Sequence, residues 1–249
     1  MFGKPKGEVV QTGWFVRPMT PKDVPVVLEI IRAHDEDDAE WAAQTYQNRG
    51  PHGHFVLTQE KRVAGVSGYA LADGTQHSYW ISWTYLDQAS QGQGVGSALL
   101  ENILQKLQEE GARKVFVSTS DYEEDGTSIY ANAVRMYEST GFQLEVKTPD
   151  FYEVGESQLI FGLQLNPSMP PPIDYADRAN DPITLTRLFR IDETKDCAGL
   201  DWDFGDEGTM FTVEVVPILQ RCQFHEAGRL KDFWANGIDD VRYVFTLKR

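Results

Sequence analysis

An apolar run, Tyr79-Trp80-Ile81-Ser82-Trp83-Thr84-Tyr85-Leu86, passes through one glycine-rich turn, Gln91-Gly92-Gln93-Gly94-Val95-Gly96, into a helix-patterned run that begins at Ser97. The aromatic and β-branched residues before the turn favour a strand. After it, Leu99, Leu100, Ile103, Leu104 and Leu107 recur with helical period. A strand that enters a helix through bare backbone restricts the chain to the α/β and α+β classes. It also presents unobstructed N–H groups at the positive end of a helix dipole, which suits an anion such as a pyrophosphate. Glycine allows the close approach and the positive φ angles that such a turn needs. Two familiar phosphate-binding patterns are absent. The dinucleotide fingerprint needs its third glycine one place later and an acidic residue about twenty residues on. The nucleotide-triphosphate loop needs Gly-Lys-[Ser/Thr] at its end. The order here is Gln-x-x-Gly-x-Gly.

Strand-like runs fall at 13–18, 53–60, 62–72, 77–87, 114–120, 142–150 and 157–165. Helical periodicity appears at 21–34, 38–48, 95–111 and 128–140. Thr20 or Asp23 could cap the first helix, with Pro21 in its first turn. Lys61 starts the return from the second strand to the third, and Ala72-Asp73-Gly74-Thr75 turns the chain again. Asn166-Pro167-Ser168-Met169-Pro170-Pro171-Pro172 reads as a stiff linker. The expected organisation is therefore a domain over 1–165, a linker over 166–182 and a small α+β or mostly β domain over 183–249.

The glycine loop and the order of these elements resemble the GNAT superfamily of N-acetyltransferases, whose acetyl-CoA pyrophosphate loop has this pattern. Val16-Arg17-Pro18-Met19-Thr20-Pro21-Lys22-Asp23-Val24 is similar to that family's first strand and helix start. Ala133-Val134-Arg135-Met136-Tyr137-Glu138-Ser139-Thr140-Gly141-Phe142 resembles its fourth-helix signature, Tyr-x-x-x-Gly-Phe. Asp150-Phe151-Tyr152-Glu153-Val154-Gly155-Glu156 resembles the turn between the last two strands in one branch. The resemblance covers about 13–165. It implies the GNAT fold, a mixed central sheet flanked by helices, and acetyl-CoA as cosubstrate with no metal.

The resemblance also assigns site residues. Thr84, Tyr85 and Leu86 end a strand whose free backbone groups would pair with the pantetheine arm. Such groups are costly to leave buried and unpaired, so an extended cofactor suits the gap. The pyrophosphate would lie on Gln91, Gly92, Gln93, Gly94, Val95, Gly96 and Ser97. Gln91 brings no charge, so amides and helix dipole must do more. Tyr137 takes the place of the family's general acid, a phenol that could protonate the leaving thiolate. It could equally pack with Val134 and Phe142. Many members carry a cofactor-contacting Asn seven residues before that tyrosine; here Tyr130 stands there, with Asn132 close by as the candidate contact. The branch with the Asp-Phe-Tyr turn has Val-Glu-Thr-Ser on its fifth strand, whereas this chain has Val117-Ser118-Thr119-Ser120. The amine would then lose its proton to water or to Asp121, Glu123 or Glu124. These acidic residues fall in an inserted loop, 121–126, that reads as solvated. His34-Asp35-Glu36-Asp37-Asp38-Ala39-Glu40-Trp41 either starts a helix with favourable acids or draws an ammonium substrate.

Beyond the linker the chain carries a faint echo of the first domain. A shift of 82 positions pairs Phe142 with Phe224, Asp150 with Asp232, Phe151 with Phe233, Tyr152 with Trp234, Gly155 with Gly237 and Leu165 with Leu247. The segment is either a degenerate GNAT half or a coincidental pair of hairpins. In the first case Tyr137 faces Leu219, and no glycine loop precedes it.

The net charge of −15 argues against a nucleic-acid surface. Cys197 and Cys222 have neither disulfide-framework nor metal-ligand spacing, and a reducing cytoplasm fits. Residues 1–7 lack the apolar core of a signal peptide, and no apolar run is long enough for a membrane span. The expected activity is acetyl transfer from acetyl-CoA to a primary amine of a small molecule or peptide, by direct attack in a ternary complex. The alternative is a non-catalytic acyl-CoA-binding regulatory module. A homodimer is left open as an assembly.

Overall fold

The computed structural model describes residues 7–11, 13–166, 184–189, 197–203 and 225–246. Most of the expected linker, along with Leu219, Cys222, Phe224 and Leu247, lies outside them. The chain forms two compact units, one of residues 1–70 and 79–112 and the other of 71–78 and 113–249.

The first unit contains β1 (Glu8–Gln11), β2 (Trp14–Pro18), α1 (Val24–Arg32), α2 (Glu36–Arg49), β3 (His54–Gln59), β4 (Arg62–Leu71), β5 (Ser78–Leu86) and α3 (Val95–Glu109). Its strands lie in the order of the chain, β1 to β5. The pairs β1–β2, β2–β3 and β3–β4 are antiparallel. The first helix begins at Val24 rather than 21, because the Asp23 carboxylate turns back instead of capping it. That carboxylate accepts from both Arg17 guanidinium nitrogens, at 2.8 and 2.7 Å, and from the Thr20 amide and hydroxyl. Pro21 therefore sits in the turn before the helix, and Pro25 is the proline in its first turn. α1 and α2 bury Val27, Ile31, Ala39, Ala42 and Tyr46 against Val56 and Val66. α3 buries Val95, Leu99, Leu100, Ile103 and Leu107 completely. Each such side chain contributes about 1.5–3 kcal/mol through burial. β1 was not legible as a strand. Its Glu8 holds α3 by accepting from Lys106 Nζ at 2.6 Å and Asn102 Nδ2 at 2.8 Å.

The second unit contains β6 (Lys114–Ser120), β7 (Glu123–Glu124), β8 (Thr127–Ser128), α4 (Ala131–Ser139), β9 (Gln143–Glu153), β10 (Glu156–Gln164), β11 (Thr184–Phe189), β12 (Cys197–Asp203), β13 (His225–Ala235) and β14 (Ile238–Thr246). Seven of these lie side by side in the order β6-β10-β9-β13-β14-β12-β11. Its core includes Phe116, Phe142, Val146, Phe161, Leu230 and Phe233. The expected acidic loop is a miniature hairpin instead. Asp125 and Gly126 both take positive φ, 50° and 73°, which is the turn chemistry that joins β7 to β8. Arg113 is fully buried and donates to the Gln76 carbonyl, the Ser78 hydroxyl, the Phe233 carbonyl and Asn236 Oδ1. Four acceptors around one guanidinium offset the cost of burying its charge.

Candidate active site

In the first unit β5 carries an irregularity at Trp83, a non-glycine residue with φ +40°. Such a conformation is uncommon for a bulky residue and persists only where its surroundings hold it. Here the holding is aromatic. His54 stacks on Trp83 with centroids 5.3 Å apart, and Tyr46 meets both rings edge-on at 5.1 and 5.6 Å. Burial lowers the pKa of His54, so it sits in this cluster as a neutral ring.

Thr84, Tyr85 and Leu86 follow, all half-buried. Thr84 Oγ1 pairs with Ser67 Oγ at 2.9 Å. The Tyr85 hydroxyl donates to Asp38 Oδ2 at 2.6 Å, and the Tyr85 ring stacks on His34 at 5.4 Å. His34 Nε2 donates to the Leu86 carbonyl at 2.7 Å, and the Gln91 side-chain nitrogen lies 3.5 Å from His34 Nε2. Burial pushes the Asp38 carboxyl above its ordinary value. The Tyr85 bond pulls the other way, and Asp35 and Asp37 add to the rise. The sequence pointed to the 34–41 segment, but not to His34 and Asp38 as the two residues that reach the end of β5. That contact depends on how α1 and α2 lie on the strand, and no local pattern encodes it.

The loop itself is braced from below. Asp87 Oδ1 accepts from the Ser90 amide at 2.9 Å and pairs with Arg62 through its other oxygen. Gln93 Nε2 donates to the Ala89 carbonyl at 2.8 Å. Gly92 and Gly94 have φ of 72° and 76°, and a β-carbon built on either would meet nothing within 4 Å. The space before them is therefore open, and glycine is required by backbone angle alone. α3 starts at Val95 with Gly94 as its N-cap, no side-chain capping bond and no acid in its first turn. Its leading amides, those of Gly96 and Ser97, lack the partner that a capping side chain would supply, and the first intrahelical bond is that of the Ala98 amide to the Gly94 carbonyl at 3.2 Å. The ten residues predicted over 84–97 are thus brought together as one strand end, loop and helix start.

In the second unit Tyr137 lies on α4, 5% exposed, with its ring against Phe142 at 5.8 Å and Phe161 at 6.1 Å. Burial pushes its phenol up to about 12, so it keeps its proton at neutral pH. Asn132 is on the exposed side of the same helix and accepts from Arg135 Nη2 at 2.5 Å. Ser118 is exposed on β6. Asp121 is engaged: it pairs with Lys147 at 2.8 Å and accepts from the Ser157 amide at 2.6 Å. Burial raises its pKa, but these partners together hold it below the ordinary value. Glu123 and Glu124 are exposed on the small hairpin. Among the described residues, no group of three or more His, Cys, Asp or Glu is placed to hold a metal ion. No helix among them is long and apolar enough to cross a membrane.

Residues 25–142 match the sequence model of the acetyltransferase (GNAT) family. No curated protein matches the chain by sequence. Among solved structures, a protein assigned to the GNAT family of acetyltransferases from Desulfovibrio desulfuricans is 25% identical, with a TM-score of 0.54 over 61% of this chain and 99% of that one. The ribosomal-protein-S18-alanine N-acetyltransferase of Escherichia coli is 20% identical, with a TM-score of 0.51 over 61% and 94%. The YncA protein of Salmonella typhimurium, solved with its cofactor acetyl-CoA, is 19% identical, with a TM-score of 0.52 over 65% and 99%. The fold is the mixed α/β arrangement that the sequence implied, and the match to the acetyltransferase (GNAT) family lies on residues 25–142.

Proposed function

We propose that this chain is an acetyl-CoA-dependent N-acetyltransferase that acts on a primary amine by direct attack in a ternary complex. The observation that carries the reading is the uncapped start of α3 behind two left-handed glycines with open space before them. These features fit a pyrophosphate: amides from Gly92 to Ser97 supply donors, and the helix dipole supplies partial positive charge in place of a basic side chain. Bound acetyl-CoA would supply an activated acetyl thioester. Backbone groups of Thr84, Tyr85 and Leu86 would hold the extended arm and orient the thioester carbonyl.

On the acceptor side, Asp38 is held against Tyr85 and flanked by Asp35 and Asp37. That local charge suits a cationic amine and would hold it beside β5. Tyr137, protonated at neutral pH, is suited to donate a hydrogen bond to the departing sulfur. A phenol near 12 is a weaker acid than a thiol near 8.5, so stabilisation of the thiolate by that bond precedes any full proton transfer. Asn132 stands near, not at, the position of the family's cofactor-contacting Asn, and its carboxamide oxygen already serves Arg135. Its part in cofactor contact would come through the amide nitrogen.

The test is thermal unfolding with and without saturating acetyl-CoA, followed by CoA-thiol release over a panel of small amines, peptide N-termini and lysine peptides. Binding at about a hundred times Kd adds roughly 2.7 kcal/mol of stability. A shift with thiol release on any class supports the enzyme. A shift without release across the panel would make the chain a cofactor-binding module, and no shift would remove the reading altogether.

A further inference from the structure

Within the second unit, β13 and β14 repeat β9 and β10. β9 spans 143–153 and β13 spans 225–235; β10 spans 156–164 and β14 spans 238–246. Every bound moves by the same interval, and the pairing moves with it. Lys147 opposite Leu159 becomes Arg229 opposite Val241, and Val146 opposite Ile160 becomes Gly228 opposite Arg242. The bulge that skips Glu145 recurs at Ala227. The turns match as well. Asp150 and Asp232 have φ of 53° and 54°, and each accepts through Oδ1 from a glycine amide five residues on, at 2.7 and 2.6 Å. The following ring pairs, Phe151–Tyr152 and Phe233–Trp234, both stand edge-on at 4.9 Å and 85°. One place further along, β12 repeats β6. Lys114 opposite Gln164 becomes Cys197 opposite Thr246.

β9 and β13 then pair antiparallel with Val146 opposite Gly228, so each of these residues faces its own counterpart. The strand order β6-β10-β9-β13-β14-β12 reads the same from either end. This is the geometry of an isologous twofold interface, in which a patch meets its own equivalent, contained within one chain. It is not a neutral copy, however. A β-carbon on Gly228 would lie 2.7 Å from the Glu145 carbonyl oxygen and 3.0 Å from the Val146 Cα. A second valine facing Val146 therefore does not fit. Glu145 Oε2 accepts from the Lys231 backbone amide at 2.7 Å, whereas the counterpart of Lys231 is Pro149, which has no N–H. The other oxygen of Glu145 takes Lys114 Nζ at 2.7 Å, with both side chains 5% exposed. A β9 facing another β9 would leave this buried carboxylate one donor short.

We propose that β12–β14 stand in for a second copy of the chain. They complete the β9 edge in cis, and they fit that edge where another β9 cannot, so molecules do not pair along it. An open edge strand invites such pairing, and here the repeat both fills the edge and removes the symmetry that association needs. Any homodimer uses another face.

The test is made on the full-length protein by sedimentation equilibrium and amide hydrogen exchange. In the wild type the amides of residues 145–148 should be protected, and that protection should not change with concentration whether sedimentation finds one chain of 28.2 kDa or a multiple of it. Gly228→Val should raise their exchange at least about tenfold by local opening. The exchanged pair Val146→Gly with Gly228→Val should restore most of that protection, because the two positions trade places across the dyad. Lys231→Pro, which leaves the backbone spacing at 228 intact, should raise exchange by a smaller factor. A wild-type dimer that deprotects these amides on dilution would overturn the proposal. So would unchanged protection in both single variants, or a double variant no better than Gly228→Val.

Discussion

α2 and α3 lie in the same unit and begin in opposite ways. α2 starts behind Asp35, in extended backbone, whose side chain accepts from the Asp38 amide at 2.9 Å. Its first turn holds Glu36, Asp37 and Asp38, so its positive end is sealed and neutralised from within. α3 starts behind a left-handed glycine with neither cap nor acid. An uncapped start is not itself diagnostic, since α4 also lacks a side-chain cap. α3 adds the two glycines with empty space before them, at the end of a strand whose backbone course is bent at Trp83. The contrast teaches that a helix can be built to close its own N-terminus or to leave it for a ligand. In the second case the missing donor partners are part of the function.

The strongest way to break that contrast is to make α3 begin like α2. Gly94→Asp places a carboxylate over the open amides, where it can cap them and repel a phosphate. Affinity for acetyl-CoA should fall about a thousandfold, roughly 4 kcal/mol, while the fold survives at a cost of about 1 kcal/mol, because a side chain is strained at φ +76°. Calorimetric titration with CoA measures this, and binding within tenfold of wild type would show that the α3 start is not the anion site. Next in size is Tyr137→Phe on α4, the helix whose uncapped start is given no role here. Its contribution is a side chain, so kcat should fall about a hundredfold with little change in the KM for acetyl-CoA. An unchanged kcat would return Tyr137 to the packing role that its contacts with Phe142 and Phe161 also support.

What could be seen in the sequence follows the range of the interactions involved. The loop and the apolar faces of α3 and β5 are local, and they stand where periodicity placed them. The hairpin repeat was visible as an 82-residue echo, because Asp150 and Gly155 recur with their turn. The third repeated strand, offset by one further residue, needed the register of β12. β1 escaped because Glu8–Gln11 has no alternating apolar pattern, and its place depends on Glu8 meeting Lys106 and Asn102 on α3. The β7–β8 hairpin carried a readable Asp-Gly turn signal at 125–126 that its acidic neighbours obscured. His34 and Asp38 reach β5 only through tertiary packing, so their sequence context showed their charge and not their contact.

α1 extends the comparison to a third design. Asp23 stands at its N-cap but gives its carboxylate to Arg17 and Thr20, and these bonds, Arg17's foremost, hold its pKa down to about 2. A carboxyl depressed from 3.8 to about 2 contributes about 2 kcal/mol at neutral pH. The sign is that of a lowered acid: the contribution is complete above the unfolded pKa and is lost as pH falls through the folded one. Asp23→Asn should therefore cost about 2 kcal/mol in urea unfolding at pH 7, with roughly half of that gap gone by pH 3. A gap independent of pH would mean that shape at this position matters and charge does not.

The smallest effect belongs to the sealed helix. Asp35→Ala removes the bond to the Asp38 amide and should cost about 1 kcal/mol of stability. α2 makes no claim on the cofactor, so acetyl-CoA affinity should hold within about twofold. Asp38 is different: once its amide is unpaired, the first turn of α2 can fray and loosen the contact between Asp38 and Tyr85. If the acidic start of α2 also holds the amine, Asp35→Ala should raise the acceptor KM severalfold at constant acetyl-CoA KM. A variant that loses stability and leaves both constants untouched would confine the acids of α2 to their helix, and the contrast between the two starts would then be one of ligand against no ligand at all.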